Sequence, residues 1–201
     1  MIDHIVYASP DLDRGMQSFV AEYGIEPTLG GRHLGFGTRN ALIGLGERGY
    51  LEILAVDDEQ DIEPSKRFLQ LERGSPPRFI AWCAHTDRPL RETVEIARAA
   101  GCDFSEIISM SRKRPDGSTM SWKLASPLAN RDGVLPFFVD WGSTPNPATL
   151  LPPLLTLVSF SLAHPDPNRI RAILVALGED EIEVKLGPVP ALQVDLEVTR
   201  S

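Results

Sequence analysis

Cysteines and long apolar runs are scarce in this sequence. Its 201 residues include only two cysteines, Cys83 and Cys102. Their spacing matches no zinc motif, so we expect two reduced, partly buried thiols. No apolar run approaches the roughly 20 residues that a membrane-spanning helix needs. The first residues also lack the basic and apolar regions of a signal peptide. These absences favour a cytoplasmic protein.

Positive charge is also in short supply. The chain has 20 Lys and Arg against 28 Asp and Glu, a net charge of −8. A nucleic-acid partner needs a cationic face, and so does a surface of anionic lipid. We therefore expect a small-molecule ligand and neither nucleic acid nor membrane as partner, while homo-oligomerisation stays open. A hydrophobic content of 42% suffices for the core of one ordinary domain or two small ones.

What the chain does contain is one order of elements that recurs. A predicted strand is followed each time by a helix that begins at an acidic residue, namely Asp11, Asp87 or Asp166. Such a residue is favoured at a helix N-terminus by the helix dipole. We divide the chain into a β-α-β-β-β module over 1–56, a linker over 57–77, a second such module over 78–141, a Pro-rich loop over 142–154 and a partial β-α-β-β module over 155–201.

These modules predict an α+β fold with mixed or mainly antiparallel sheets and with helices on the outer face. In the second module, Pro115-Asp116-Gly117 is a strong signal for a hairpin turn. We interpret the adjoining basic run Arg112-Lys113-Arg114 as the exposed end of that hairpin.

Two strands of the first module carry candidate site residues. Because side chains alternate along a strand, His4 points away from the face that Asp3 occupies. Glu52 lies in a later strand. If His4 and Glu52 both face one cavity, they form half of a site for a divalent ion. The alternative is a buried His–Glu hydrogen bond within a mostly apolar sheet.

Residues 30–40 join these strands and are rich in glycine. They form no P-loop, because no Gly-Lys-Ser/Thr follows, and they instead indicate a tight turn or a close backbone approach. His33 is a third metal ligand, a general base or an exposed loop residue. Arg32 is a candidate for binding an anionic substrate group, with solvated charge as the alternative. Asn40 is a further substrate-binding candidate.

Several segments together resemble the glyoxalase-like domain family of the vicinal-oxygen-chelate superfamily, which includes glyoxalase I and the extradiol dioxygenases. The resemblance implies paired modules that form a curved, partly open sheet around a cavity. The superfamily contains isomerases, dioxygenases, thiol transferases and binding proteins, so its fold is a weak guide to reaction. The segments are Asp3-His4-Ile5-Val6-Tyr7, Gly31-Arg32-His33, Gly37-Thr38-Arg39-Asn40-Ala41-Leu42, Tyr50-Leu51-Glu52-Ile53, Asp116-Gly117 with Trp122, and Leu135-Pro136-Phe137-Phe138-Val139-Asp140-Trp141.

The resemblance also implies a metal site with ligands from both modules. The first module offers His4 and Glu52. In the second, Ile80 occupies the position that matches His4, and Ile80 is no ligand. Asp140 stands about where Glu52 stands in its own module and is the candidate carboxylate. A four-ligand site for Zn, Ni, Mn or Fe would then have to recruit His33.

Trp122 and Trp141 are candidates for the walls of an apolar substrate pocket, and core packing explains them equally well. Three classes of function remain open. One is a metal-dependent lyase, isomerase or dioxygenase acting on a small carbonyl or aromatic substrate, in which the metal polarises an oxygen and Glu52 or His33 moves a proton. The others are a metal-free binding protein with the same cavity and a structural module. We expect catalysis to depend on Glu52 more than on His33, because a central strand holds a side chain more firmly than a loop.

Overall fold

The computed structural model describes residues 1–46, 49–128 and 132–200, and within them eight strands close into a barrel while three more form a separate sheet. Helix α1 (Leu12–Tyr23) of the first module begins where the side chain of Asp11 accepts a hydrogen bond from the backbone N–H of Arg14, and it ends at Gly24, whose φ is 71°. The first-module elements are β1 (Ile2–Ala8), α1 (Leu12–Tyr23), β2 (Thr28–His33), β3 (Thr38–Gly44) and β4 (Tyr50–Val56).

The second module has the same order of elements as the first. Two 3-10 turns, Pro64–Lys66 and Phe68–Gln70, lie between the modules. None of the helices in the described parts of the chain has the length and apolarity needed to cross a bilayer. The remaining elements are β5 (Arg78–Ala84), α2 (Leu90–Ala99), β6 (Ile108–Lys113), β7 (Thr119–Ala125), β8 (Phe137–Asp140), a 3-10 turn at Pro147–Leu150, β9 (Leu155–His164), α3 (Pro167–Leu177), β10 (Glu183–Leu186) and β11 (Ala191–Val198).

The barrel strands follow the order β1-β4-β3-β2-β6-β7-β8-β5. The two modules therefore meet at two seams, β1 with β5 and β2 with β6, and both pairs are antiparallel. This confirms the predicted α+β fold with a curved sheet of repeated modules. The sheet closes on itself, whereas the resemblance implied a partly open one. The third module contributes a sheet of order β10-β9-β11.

Two apolar clusters lie on opposite sides of the barrel wall. Ile5 and Ile53 face outward and pack with Phe19 of α1. Val6 and Leu54, each one residue further along its strand, face the interior. This alternation follows from the twofold side-chain period of a strand. Both cysteines are free, as the sequence predicted, and both are buried rather than partly buried.

The β2–β6 seam explains part of the glycine-rich segment. A Cβ atom on Gly31 would lie 2.0 Å from the carbonyl oxygen of Lys113, and the φ of Gly31 is 142°. Only glycine allows the two backbones to approach so closely. The predicted close backbone approach is therefore present, and it joins the two halves of the barrel.

Candidate functional site

A small cavity lies inside the barrel. Its volume is about 20 Å³, which is room for about one water-sized group. The polar lining comes mostly from the first module and the apolar lining mostly from the second. The lining residues are His4, His33, Asn40, Tyr50 and Glu52 of the first module, Phe68 of the linker, and Arg112, Trp122, Leu124, Phe137, Val139 and Trp141 of the second module.

A β-bulge places Asp3 beside His4. In the β1–β5 pair, Ile2 is opposite Ala84 and His4 is opposite Cys83, so Asp3 is an extra residue. The Asp3 carboxylate lies 2.7 Å from Nδ1 of His4 (Oδ1 to Nδ1), and both side chains are buried. The prediction that Asp3 points away from the side of His4 was therefore wrong, because the bulge interrupts the regular alternation.

Three groups hold the Asp3 carboxylate. Besides His4, the indole N–H of Trp141 and the amide of Asn146 donate to its other oxygen at 3.1 and 2.7 Å. Burial alone would raise the pKa of Asp3, but the hydrogen bond and charge of His4, followed by the bonds from Trp141 and Asn146, outweigh it and lower the pKa. An ionised Asp3 binds the Nδ1–H tautomer of His4, so the basic nitrogen of the neutral ring is Nε2. The ring of Tyr50 stacks on this imidazole with centroids 4.6 Å apart.

Glu52 lies between two imidazoles. Its side chain is buried, with one oxygen (Oε2) 3.8 Å from Nε2 of His4 and the other (Oε1) 3.7 Å from Nε2 of His33. The amide of Asn40 donates to Oε1 at 2.6 Å. The distance between Oε2 of Glu52 and Nε2 of His4 is longer than a hydrogen bond. The two groups therefore lie close together without being bonded to each other.

His33 ends β2 and is buried, so it is not an exposed loop residue. Its Nδ1 lies 2.8 Å from the hydroxyl of Thr38, and its Nε2 lies 3.3 Å from the amide nitrogen of Asn40. Burial lowers the pKa of His33 to about 4, the charge of Arg112 adds to this shift, and Glu52 opposes it. His33 is therefore neutral near pH 7 and orients Asn40, which in turn holds Glu52.

Arg112 lies in the cavity wall, and the interpretation of it as an exposed hairpin end was wrong. Its side chain is buried, and it is paired with His33 across the β2–β6 seam. Nη1 donates to the amide oxygen of Asn40 at 3.3 Å, and Nη2 contacts the sulfur of Met120 at 3.1 Å. The available sequence signal was alternation, because Met110, two residues earlier in β6, also faces the interior.

Gly30 makes room for this arrangement. A Cβ atom at this position would lie 2.2 Å from the amide oxygen of Asn40 and 3.0 Å from Nη1 of Arg112. Any larger residue would push these two side chains apart. Gly30 therefore leaves space for Asn40 and Arg112 in the site, whereas Gly31 allows the close backbone approach at the β2–β6 seam.

Two predicted site residues lie outside the cavity. Arg32 forms an ion pair with Glu59 on the surface and lies 3.8 Å from the carboxylate of Asp57. Asp140 is exposed, and its side chain accepts a hydrogen bond from the backbone N–H of Gly142 at 2.9 Å. The structure thus brings together His4, His33, Asn40, Glu52, Trp122 and Trp141, and it leaves Arg32 and Asp140 apart from them.

The family model described as a glyoxalase-like domain matches residues 2–178. The chain belongs to the glyoxalase-like domain family. A solved hypothetical protein from Staphylococcus aureus is 17% identical to this glyoxalase-like protein, covers 100% of it and 92% of its own chain, and superposes with a TM-score of 0.76. Methylmalonyl-CoA epimerase from Mycobacterium tuberculosis is 20% identical over 69% of this chain and 85% of its own, with a TM-score of 0.45. No curated protein sequence matches. At these identities the first likeness shows the fold alone.

We tested whether the residues of this glyoxalase-like protein fit a metal ion. Among the described residues, Asp3, His4 and Cys83 form a group of potential donors within 4.8 Å of one another. Nδ1 of His4 is bonded to Asp3, and burial raises the pKa of the Cys83 thiol well above its usual value of 9.0. A bound metal ion would itself deprotonate such a thiol. These three residues are therefore a possible metal site, and the structure does not identify its metal.

The second possible donor set is His4, His33 and Glu52. These residues do not form a comparably close group within the described parts of the chain. Glu52 turns a different oxygen toward each imidazole. We derive no step through a metal from either donor set.

A much larger groove adjoins the cavity. Its volume is about 740 Å³, and residues 65–76 form much of its wall. Groove and cavity share Phe68, Leu124 and Phe137 as lining residues. The rings of Phe68 and Phe137 meet edge to face with centroids 5.7 Å apart. A molecule in the groove is thus separated from His4 and Glu52 by these shared side chains.

Proposed function

We propose that this protein is an isomerase or lyase that moves a proton at a carbon next to a carbonyl group. The observation that carries the proposal is the pair of His4 Nε2 and Glu52 Oε2, which face each other at 3.8 Å in a buried cavity. A carboxylate and an imidazole that both reach one reacting group can act as base and acid in turn. Burial excludes the bulk water that would otherwise compete for the proton.

Glu52 is the base in this proposal. Its Oε1 is held by Asn40 at 2.6 Å, which leaves Oε2 to accept the proton from carbon. His4 is the partner that returns a proton: it does so from Nε2 as the imidazolium, while Asp3 accepts the Nδ1–H and holds the ring in one orientation. Such orientation matters because a small misplacement of a catalytic group costs much of the rate. The neutral His33 acts through Asn40 rather than on the substrate.

The sizes of the two spaces indicate how a substrate binds. The cavity of about 20 Å³ admits only the reacting end of a molecule, while the groove of about 740 Å³ has room for the rest. Phe68 belongs to a short 3-10 turn and must yield for the reacting end to pass. The substrate class is therefore a carbonyl compound whose reacting carbon lies at one end.

Solvent deuterium exchange tests this function without knowledge of the final product. The protein is incubated in D₂O with a panel of 2-oxo acids, hydroxyketones and acyl thioesters, and loss of the proton next to the carbonyl is followed by NMR. We expect exchange with at least one of these compounds, and a fall of about 10²–10⁴-fold in Glu52→Gln.

The matched control is Glu59→Gln, which removes an exposed carboxylate in an ion pair with Arg32. This variant should exchange at the wild-type rate. Full exchange by Glu52→Gln would contradict the assignment of the base. A lack of exchange by the wild type, together with tight binding of a panel compound, would instead favour a metal-free binding protein.

A further inference from the structure

Arg112 has a buried charge without a close counterion. The side chain is 5% exposed. No carboxylate of the described residues lies within 4.0 Å of its nitrogens, and its Nε has no hydrogen-bond partner. The other contacts are with weak or distant acceptors, the amide oxygen of Asn40 at 3.3 Å and the sulfur of Met120. Buried guanidinium groups are normally paired with an anion, because an unpaired buried charge is costly.

Arg112 lies close to the proposed proton-transfer groups. It lines the same cavity as Glu52 and His4, and it meets Asn40, the residue that binds Glu52. The guanidinium and the carboxylate of Glu52 attract each other at longer range. Arg112 thus stands beside the point where the proposed reaction creates a negative oxygen.

Resting on the proposed function, we propose that Arg112 is a catalytic residue that binds the carbonyl oxygen of the substrate as that oxygen becomes negative. In this step the C–H bond breaks and its electron pair forms a C–C double bond. The carbonyl π electrons move to oxygen, and the proton passes to Glu52. Arg112 thereby provides, from a side chain, the oxygen stabilisation that the resemblance assigned to a metal ion.

The charges in the cavity balance through this step. Before it, the negative charge is on Glu52 and the positive charge is on Arg112. Afterwards Glu52 is neutral and the substrate oxygen is negative, so the total is unchanged. The charge of Arg112 is balanced at longer range by Glu52 before the step and by the adjacent substrate oxygen after it, and no charge enters from solvent. Pre-positioned donors of this kind account for a large part of many enzymatic rates.

Binding of formate tests the oxygen site separately from catalysis. Formate is the smallest carboxylate, and formamide is a neutral molecule of nearly the same shape. We expect formate to shift the NMR signal of the Arg112 Nε–H group in a saturable manner, and formamide to leave it unchanged. Arg112→Gln should weaken formate binding, followed by ligand NMR, at least about tenfold. Equal binding of both probes, or formate binding that survives in Arg112→Gln, would overturn the proposal.

Arg39→Gln is the matched control. Arg39 also has a buried Nε without a hydrogen-bond partner, but it does not line the cavity. This variant should bind formate like the wild type. Arg112→Lys serves as a second variant should Arg112→Gln fail to fold, since it keeps the charge and loses the planar donors. It should also weaken formate binding, and unchanged affinity would contradict the role of the guanidinium.

Exchange rates then link the site to the reaction. With a compound that the wild type exchanges, Arg112→Gln should lower the rate by about 10²–10³-fold, with a smaller effect on KM. Exchange that is unaffected by Arg112→Gln would overturn the inference and leave the function of Glu52 standing. Conversely, formate binding that depends on Arg112 in a protein without exchange would retain the anion site and refute the proposed function.

Discussion

The two halves of the barrel share one order of elements and differ in what they place inside it. The first half contributes an imidazole at His4 and a carboxylate at Glu52 to the cavity. In the second half, Ile80 stands at the position that matches His4, and β8 turns Val139 inward and Asp140 outward. The second half therefore provides mainly apolar walls, with Arg112 as its one charged contribution among the lining residues.

This difference shows that a repeated architecture does not imply a repeated site. The bulge at Asp3 and the contact across the β2–β6 seam each belong to one place in the barrel. The bulge places Asp3 beside His4 in the first half, and the seam brings the guanidinium of Arg112 from the second half to the same cavity. We therefore expect changes to the proton-transfer groups of the first half to alter the chemistry, whereas a change at Asp140, which stands in the second half about where Glu52 stands in the first, does not.

The largest predicted effect among supporting residues is that of Asp3→Asn. Trp141 and Asn146 both donate to one oxygen of Asp3, so the amide oxygen of the variant takes that place. The amide nitrogen then faces His4 and donates to Nδ1, which forces the proton of His4 onto Nε2. We expect a fall in the exchange rate of about 10²–10⁴-fold, as for other histidines held in the wrong tautomer.

The ¹⁵N NMR signals of His4 measure this tautomer directly. Asp13→Asn, an exposed change in α1, is the control and should leave both the tautomer and the rate unchanged. A His4 that keeps its proton on Nδ1 in Asp3→Asn, with a normal rate, would show that Asp3 has no positioning role.

His33 should make stability depend on pH. Its pKa in the folded protein is about 4, below the ordinary 6.5, so the unfolded chain takes up a proton that the folded chain does not. The neutral ring stabilises the fold fully above pH 6.5, and this contribution is lost as pH falls toward 4. The size of the loss is on the order of 3 kcal/mol.

Urea unfolding between pH 7 and pH 4 measures this loss, and His33→Gln should show less of it. Asp3 adds little within that range, because its pKa is lowered from an ordinary value of 3.8. His85→Gln changes an exposed histidine and should follow the wild type. If His33→Gln and the wild type have parallel pH profiles, the burial of a neutral His33 is disproved.

Gly30→Ala should have the smallest of these effects, a destabilisation of about 1–3 kcal/mol. The new Cβ would lie 2.2 Å from the amide oxygen of Asn40, and overpacking of this kind forces neighbouring groups to shift. Thermal unfolding measures the change. In Asn40→Ala the clash is absent, so Gly30→Ala should cost less in that background. Equal costs in both backgrounds would mean that Gly30 does not make room for Asn40.

The sequence predicted the local features of the fold and missed the long-range ones. Strand alternation and helix caps predicted the element order and placed His4 and Glu52 on matching phases of their strands. The contact between Asp3 and His4 could not be predicted, because the bulge that produces it depends on pairing with β5, some 80 residues away. The hydrogen bond from Asn146 to Asp3 could not be predicted either, because these residues lie 143 positions apart and only the fold brings that loop to Asp3.

Arg112 was misread for a different reason. Three consecutive basic residues next to a turn signal suggested solvated charge, and solvation is the usual state of such runs. Alternation within β6 overrides that expectation for Arg112, since Met110 and Arg112 both face the interior while Lys113 is exposed. Closure of the barrel along β2–β6 then buries the guanidinium beside Asn40.

The most direct test of the account compares one carboxylate from each half. Deuterium exchange is measured in Glu52→Gln and in Asp140→Asn with the same carbonyl compound and at the same pH. The account predicts that Glu52→Gln loses exchange about 10²–10⁴-fold, while Asp140→Asn, which changes an exposed side chain outside the cavity, keeps the wild-type rate. Comparable losses in both variants, or a greater loss in Asp140→Asn, would contradict the division of chemistry between the two halves.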